Sequence, residues 1–587
     1  MKTKTLFRIS LILLFALAIS SCDELKDENE DIQFAEATVT EDITESVTWE
    51  TGNIYIIDGT VRVGASQTVV ITIEPGAIIK FNEDATLDMA YWDNEYATII
   101  AKGTASNPII FTSNCPSPEA GDWKSINFYQ GAINCEFENC TFEYGGSNDY
   151  YGIVSIEETS VSFTSCSFKN SSTLGIYLKN NGEFSNFNGN YFTGISTYPI
   201  SIYPAAVHTL EANNSYESGK TIFIDGDQDL NISGEYVWKN QGIPFTFDGV
   251  MRMGTENTQG LQITIEPGVT LKMTTDSYID LAYWDNTYAT IIAVGTEELP
   301  ITFTSNSPSP EAGDWRSINF YKGAINCEFD FCEFEYGGGN DYYGNIYIEE
   351  TAVSFTNCKF SNSDSYAIKL TTEGEFFDFF KNTFSSHALY PISIYPNAVY
   401  SMGPENNFET GSSIYVDAGQ DLTMNGEFTW LHQSAPYTMD GTMRLGSVNG
   451  TKLNINAGTV LKFTNGSVID VAYWDANSGQ IVANGSVDEP VVFTSNSPSP
   501  AKGDWKGLYF YNGVNGTNLN NCKVEYAGSS DYMGAVALSE SGNGTILFTN
   551  SEISNSNSYG ITVDDESSLD YSTITFINNE NSDYHER

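Results

Sequence analysis

Blocks of this chain return nearly unchanged at intervals of about 190 residues, and that recurrence limits the fold more than any other feature. Ala90-Tyr91-Trp92-Asp93-Asn94 comes back as Ala282-Tyr283-Trp284-Asp285-Asn286 and as Ala472-Tyr473-Trp474-Asp475, at offsets of 192 and 190. Ser117-Pro118-Glu119-Ala120-Gly121-Asp122-Trp123 returns at 309–315 and, altered, as Ser499-Pro500-Ala501-Lys502-Gly503-Asp504-Trp505. All nine tryptophans obey the pattern, in the sets Trp49/Trp238/Trp430, Trp92/Trp284/Trp474 and Trp123/Trp315/Trp505. A period this regular is the signature of a tandem array in which one unit is copied. The copies are expected at 49–237, 238–429 and 430–587, the last one shorter.

A second period lies inside each copy. Apolar residues alternate in short triplets, such as Val154-Ser155-Ile156 and Val161-Ser162-Phe163, and the cycle restarts at Ile176, Ile200, Ile222 and Phe245. The steps are 22, 24, 22 and 23 residues. Period-2 alternation marks strands with one buried face, and Asn, Gly, Ser, Asp and Pro gather between them as turn formers. Three strands per step make one coil of an all-β, parallel β-helix. Leucine-rich repeats need a Leu/Asn frame that is missing here, and a β-sandwich would not restart at constant spacing. Residues 49–587 predict about 22 coils and, at ~4.8 Å each, a rod of about 105 Å.

The residues also carry a resemblance. Ile73-Glu74-Pro75-Gly76 with Ala77-Ile78-Ile79-Lys80-Phe81, then Ile99-Ile100-Ala101-Lys102-Gly103-Thr104, Pro108-Ile109-Ile110-Phe111-Thr112-Ser113 and Gly121-Asp122-Trp123, resembles the right-handed parallel β-helix lipoproteins of Bacteroidetes. The resemblance implies the pectin-lyase-like fold and a cell-surface location. It implies no activity, because that fold hosts lyases, hydrolases and adhesins alike.

The N-terminus agrees with a surface address. Lys2, Lys4 and Arg8 precede an apolar stretch at 11–19 that is too short to span a bilayer, as in a signal peptide over 1–21. Ile19-Ser20-Ser21-Cys22 resembles a lipobox, which makes Cys22 the lipidated residue and the anchor the only contact with membrane. Ten acidic residues between 23 and 45 predict a solvated tether over 22–48. Over the whole chain Lys and Arg number 26 against 76 Asp and Glu, a net charge of −50, which repels nucleic acid. The four histidines lie far apart, so zinc sites and histidine-based triads have no support.

The aromatic loops with aspartates are the candidate ligand-binding elements. They comprise Tyr91, Trp92, Asp93, Asp122, Trp123 and Asp149 in the first copy, and Tyr283, Trp284, Asp285, Asp314, Trp315 and Asp341 in the second. Tyr473, Trp474, Asp475, Asp504, Trp505 and Asp531 complete the set. Asp93, Asp122 and Asp149 are 29 and 27 residues apart, a spacing that stacks them at corners of successive coils. Ring faces with nearby carboxylates suit sugars, whose C–H faces stack while hydroxyls bond to oxygen acceptors. A structural role at the coil edge is the competing reading, and calcium is possible at the same carboxylates. The rare arginines repeat too, and Asp58/Arg62, Asp248/Arg252 and Asp440/Arg444 are expected to pair across a turn. Cys140/Cys166 and Cys332/Cys358, each 26 apart, predict a ladder of buried free thiols, with Cys115 exposed.

These features predict a surface-anchored, non-catalytic β-helix that binds glycan or another cell-surface polymer. A polysaccharide lyase or glycoside hydrolase is the first alternative, and a structural spacer or adhesin the second. Catalytic residues are not assigned. The acid pairs Glu157-Glu158 and Glu349-Glu350 are adjacent along strands and are expected on opposite faces.

Overall fold

The computed structural model describes residues 35–586 apart from 148–150, 340–342, 515, 530–532, 540–545, 565–568 and 570. Among the described residues there are 58 strands and two short 3₁₀ turns. One coil is enough to show the plan. A first strand, Ile54–Ile57, turns at Asp58-Gly59 into a second, Thr60–Val63, and a looser connection leads to a third, Val69–Ile73. The next three strands, Ile78–Phe81, Thr86–Met89 and Ala97–Lys102, pair with them in parallel. The alternation that the sequence displays is the burial pattern: Val69, Ile71 and Ile73 face the core while Val70 and Thr72 lie between core and solvent.

The solenoid has about 20 turns, close to the expected 22, which at ~4.8 Å per coil gives a rod of about 95 Å. The difference comes from long loops. Asp88 and Asn127 are neighbours in adjacent strands yet lie 39 residues apart, far more than the step of the plain coils. Pairing begins ahead of the predicted boundary: Glu36–Val39 pairs with Ile54–Ile57, and Ile43 bridges Val63. Residues 36–48, assigned to the tether by their acidity, therefore belong to the first coil. The predicted signal peptide and Cys22 lie outside the described residues.

Stacked like residues fill the interior. Phe111, Phe142, Phe168 and Phe192 form a ladder with ring centroids 4.7–4.9 Å apart, and Phe303, Phe334, Phe360, Phe384 and Phe408 repeat it at 4.9–5.0 Å. Centroid separations near the coil spacing allow each ring to stack on the next. The cysteines are free as expected: Cys140 and Cys166 are buried on adjacent coils, as are Cys332 and Cys358, and Cys115 is exposed. Each of the four stacked thiols donates to a backbone carbonyl, Cys140 to Ala101 O at 3.3 Å for example.

The sheets do not follow the copies. Sheet I, eight strands from Glu36–Val39 to Ser215–Tyr216, holds the first strands of the first copy. Sheet II has fourteen strands, from Thr60–Val63 to Asn407–Phe408. It begins with the second strands of the first copy and runs on through Ile222–Asp225 and Phe245–Asp248 as the first strands of the second copy. Sheet III, thirteen strands from Val250–Met253 to Thr575–Ile577, repeats that exchange between the second and third copies. Sheet IV, six strands from Thr442–Leu445 to Tyr584–Glu586, holds the second strands of the third copy. Seven ladder steps in sheet II separate Thr60–Val63 from Phe245–Asp248, and the strand homologous to Thr60–Val63 is the next one along the chain, Val250–Met253. One copy is therefore seven coils plus one face. At the junction the 3₁₀ turn Pro204–Thr209 follows the second strand of the last coil, and sheet I ends at the two-residue strand Ser215–Tyr216.

Candidate functional site

Second strands carry an outward-facing row at the start of each copy. Arg62, Asp88 and Asn127 are register partners on successive strands, as are Arg252, Asp280 and Asn319. In the third copy the row is Arg444, Asp470 and Tyr509. The aspartates are buried, at 5%, 2% and 6% exposure. Asn127 Nδ2 donates to Asp88 Oδ1 at 2.7 Å, and Asn319 does the same to Asp280. Burial raises the pKa of both carboxyls, opposed by the asparagine hydrogen bond and then by the arginine. Tyr509 removes that amide donor from the third copy. Burial there pushes Asp470 up to about 6, against Arg444, Lys506 and a 3.5 Å contact from the Tyr511 hydroxyl.

The arginines do not pair as predicted. Asp58 and Asp440 sit at the corner between first and second strands and accept hydrogen bonds from the coil above, from Asn82 at 2.9 Å and Thr464 at 2.6 Å; Asp248 does the same with Thr274. The acids that meet the arginine segments come from the neighbouring coils instead, Asp280 of the following coil lying 3.7 Å from Arg252 Nε. Asp229 lies 3.9 Å from Arg252 and Asp421 lies 4.0 Å from Arg444, while Asp42 accepts the Arg62 backbone N–H at 2.9 Å. A mid-strand side chain meets partners across the ladder more readily than around a corner. The Nε atoms of Arg62, Arg252 and Arg444 have no hydrogen-bond partner among the described residues.

Over each arginine hangs a Tyr-Trp loop. Ala90, Ala282 and Ala472 close the second strands in the left-handed region, at φ 53–57°, and throw the following residues outward. Tyr91 and Trp92 lie with ring centroids 4.9 and 5.6 Å from the Arg62 guanidinium, Tyr283 lies 5.3 Å from Arg252, and Tyr473 and Trp474 lie 5.0 and 5.5 Å from Arg444. The six rings remain 38–55% exposed. A motif that the sequence reading missed holds them there. Tyr129, Tyr321 and Tyr511 meet Tyr91, Tyr283 and Tyr473 edge to face at 5.1–5.5 Å. Two residues on, Gly131, Gly323 and Gly513 let the loop backbone close in, since a Cβ there would fall within 1.9 Å of a carbonyl oxygen of residue 95, 287 or 477. The signal was present, a Tyr-x-Gly repeated in all three copies.

In the second copy the loop roofs an open groove of about 620 Å³, lined by Tyr283, Trp284, Asp285, Tyr321, Lys322, Glu349 and Glu350. Glu349 and Glu350 were expected on opposite faces. Glu349 ends its strand, and Glu350 takes φ 53°, which turns the chain so that both line this groove. Lys322 Nζ binds Glu350 at 3.1 Å. Glu158 has the same φ in the first copy.

The other aromatic loops serve the fold. Trp123, Trp315 and Trp505 are fully buried, and their indole N–H groups donate to Glu143, Glu335 and Glu525 carbonyls at 2.7–2.9 Å. Trp123 stacks on Phe81 at 4.1 Å. Asp122 accepts from Ser113 Oγ at 2.6 Å and Glu119 N at 2.9 Å, and Asp314 and Asp504 repeat both bonds. These six residues are corrected from ligand binding to turn capping and core closure. Nor does the Tyr-Trp loop share a corner with the Gly-Asp-Trp loop: the Gly-Asp-Trp loop joins a first strand to a second, the Tyr-Trp loop a second to a third. Asp149, Asp341 and Asp531 lie outside the described residues. The run Asp225-Gly226-Asp227-Gln228-Asp229 has the alternating spacing of a calcium loop, but its carboxylates turn to other partners: Asp225 accepts Asp227 N, Asp227 accepts Val250 N, and Asp229 faces Arg252. Among the described residues no three His, Cys, Asp or Glu side chains converge as metal ligands.

Coils of parallel strands around one apolar core make this chain a right-handed parallel β-helix. A family model described as a pectate-lyase like beta helix domain matches residues 41–173 and 423–574, mostly in the first and third copies. No curated protein and no solved structure matches the chain.

Proposed function

We propose that the protein binds neutral glycan chains at its three Tyr-Trp loops, without catalysis, as a lipoprotein held at the cell surface through Cys22. The observation that carries this reading is the exposed Tyr-Trp pair of every copy, with its tyrosine ring over an arginine. Exposing rings of this size costs solvation free energy unless something apolar covers them, and the faces of pyranose rings do so while their hydroxyls meet acids such as Asp285, Glu349 and Glu350. The net charge of −50 argues against polyuronates. The test is a glycan array with the full chain carrying Cys22→Ser, beside a variant with Trp92, Trp284 and Trp474 all changed to Ala. Signal lost in the triple variant supports the reading; equal signal from both refutes it. The anchor is tested separately, by whether Cys22→Ser moves the protein out of the membrane fraction.

Three carboxylates on one groove favour a second reading, a glycoside hydrolase confined to the second copy. New reducing ends from the bound glycan, absent in Glu349→Gln and Glu350→Gln, would establish it.

A further inference from the structure

The non-integral repeat has a geometric effect on the three loops. The first-copy site stands on sheet II, the second on sheet III and the third on sheet IV, because each copy adds one face beyond seven coils. Where the second site appears, sheet II still runs alongside, occupied by the first strands of the second copy, and the Asp248-Gly249 corner separates it from the strand that bears Arg252. The sites therefore advance about 35 Å along the axis, at ~4.8 Å per coil, and move one face around it at each step. No sheet carries two of them. The register makes the change residue by residue: the row Arg62, Asp88, Asn127, Ser155 continues in sheet II to Thr246 and Lys272, residues of two successive first strands.

We infer that the rod is a trivalent cross-bridge, which holds separate polysaccharide chains on different faces instead of gripping one chain along a stripe. This rests on the glycan reading above. A stiff chain laid along sheet II meets only the first site, and reaching the second requires it to bend around a corner of the rod. Such bending removes the gain in effective concentration that multivalent binding to one chain needs. Three sites facing three ways hold separate chains with no such cost.

The test mixes the full chain carrying Cys22→Ser with a stiff neutral polymer, xyloglucan or galactomannan, and follows turbidity as the ratio is varied, with binding to the same polymer immobilised as the second arm. Bridging predicts turbidity that peaks at an intermediate ratio and falls in excess protein. Each single Trp→Ala variant at 92, 284 or 474 keeps the peak, and any double variant loses it while still binding the immobilised polymer, weakened by no more than about tenfold. Binding with soluble complexes of one polymer chain, at every ratio, overturns the bridge and leaves the glycan reading intact. Absence of binding in the immobilised arm, across both polymers and the array, overturns the glycan reading itself and the bridge with it.

Discussion

Two loops of this protein share the same residue types and the same period on adjacent coils, and they do opposite things. Trp92 is 55% exposed over Arg62, and Trp123 is fully buried on Phe81. The difference lies in what surrounds the motif. In Gly-Asp-Trp the carboxylate bonds to a serine nine residues earlier and to a backbone N–H inside its own loop, which turns the following ring inward. In Tyr-Trp-Asp a left-handed alanine comes first and a tyrosine props the loop from the next coil, so the rings point out. Composition marks a loop as special; the partners of its polar atoms decide whether it faces core or solvent.

The comparison breaks most easily at the tryptophans. Trp315→Ala removes a buried ring and its bond to Glu335 O, and should destabilise its copy by about 3–5 kcal/mol. Trp284→Ala should change stability by no more than ~0.5 kcal/mol. Denaturant unfolding with local hydrogen exchange measures both, and similar losses at the two positions would erase the distinction drawn here. The aspartates sharpen it at smaller scale. Asp314→Ala strands Ser305 Oγ and Glu311 N, at a cost of about 1–3 kcal/mol, while the exposed Asp285→Ala should be close to neutral.

The strands were legible because their alternation is local, and the coil step because it repeats. The alternating Val69–Ile73 is a strand by its own sequence. Sheet exchange at the junctions was not legible, since Phe245 restarts the coil at the ordinary interval whichever sheet it joins. Of the site, the Tyr-Trp rings could be read from their repetition. The Arg62–Asp88–Asn127 row could not, because its members stand 26 and 39 residues apart and meet only through the ladder. The Asp-Arg expectation failed for the opposite reason: Asp58 and Arg62 are near in sequence, but a corner lies between them.

The same divide between buried and exposed groups should appear in thiol chemistry. Burial pushes Cys135, Cys327 and Cys522 up to about 12, with no charged partner to favour a thiolate. Cys115, in its loop, is exposed. In the Cys22→Ser protein at pH 8, an aromatic disulfide reagent should label Cys115 in seconds to minutes and the core thiols only on unfolding. Cys115→Ser should abolish the fast phase, and a fast phase that survived would place a core cysteine within reach of solvent.

A pH-dependent effect separates the third copy from the second, at the floor of the sites. Asp280 keeps the donor Asn319, and Asp470 faces Tyr509 where an amide would stand. With its folded pKa raised by burial to about 6 from an unfolded value near 3.8, Asp470 binds its proton more tightly in the native state. Between these values the folded protein holds more protons than the unfolded one, so stability falls as pH rises from about 4 to about 6. The loss is complete above the folded pKa and absent below the unfolded one. Asp470→Asn should remove this slope, and Tyr509→Asn should reduce it by restoring a donor at the position of Asn319. Hydrogen exchange across the strands at 468–471 and 507–510, followed from pH 4 to 7, isolates the third copy from the carboxylates elsewhere. If the wild type and Asp470→Asn shared one pH profile there, the missing asparagine would have no energetic consequence, and the third floor would be equivalent to the second.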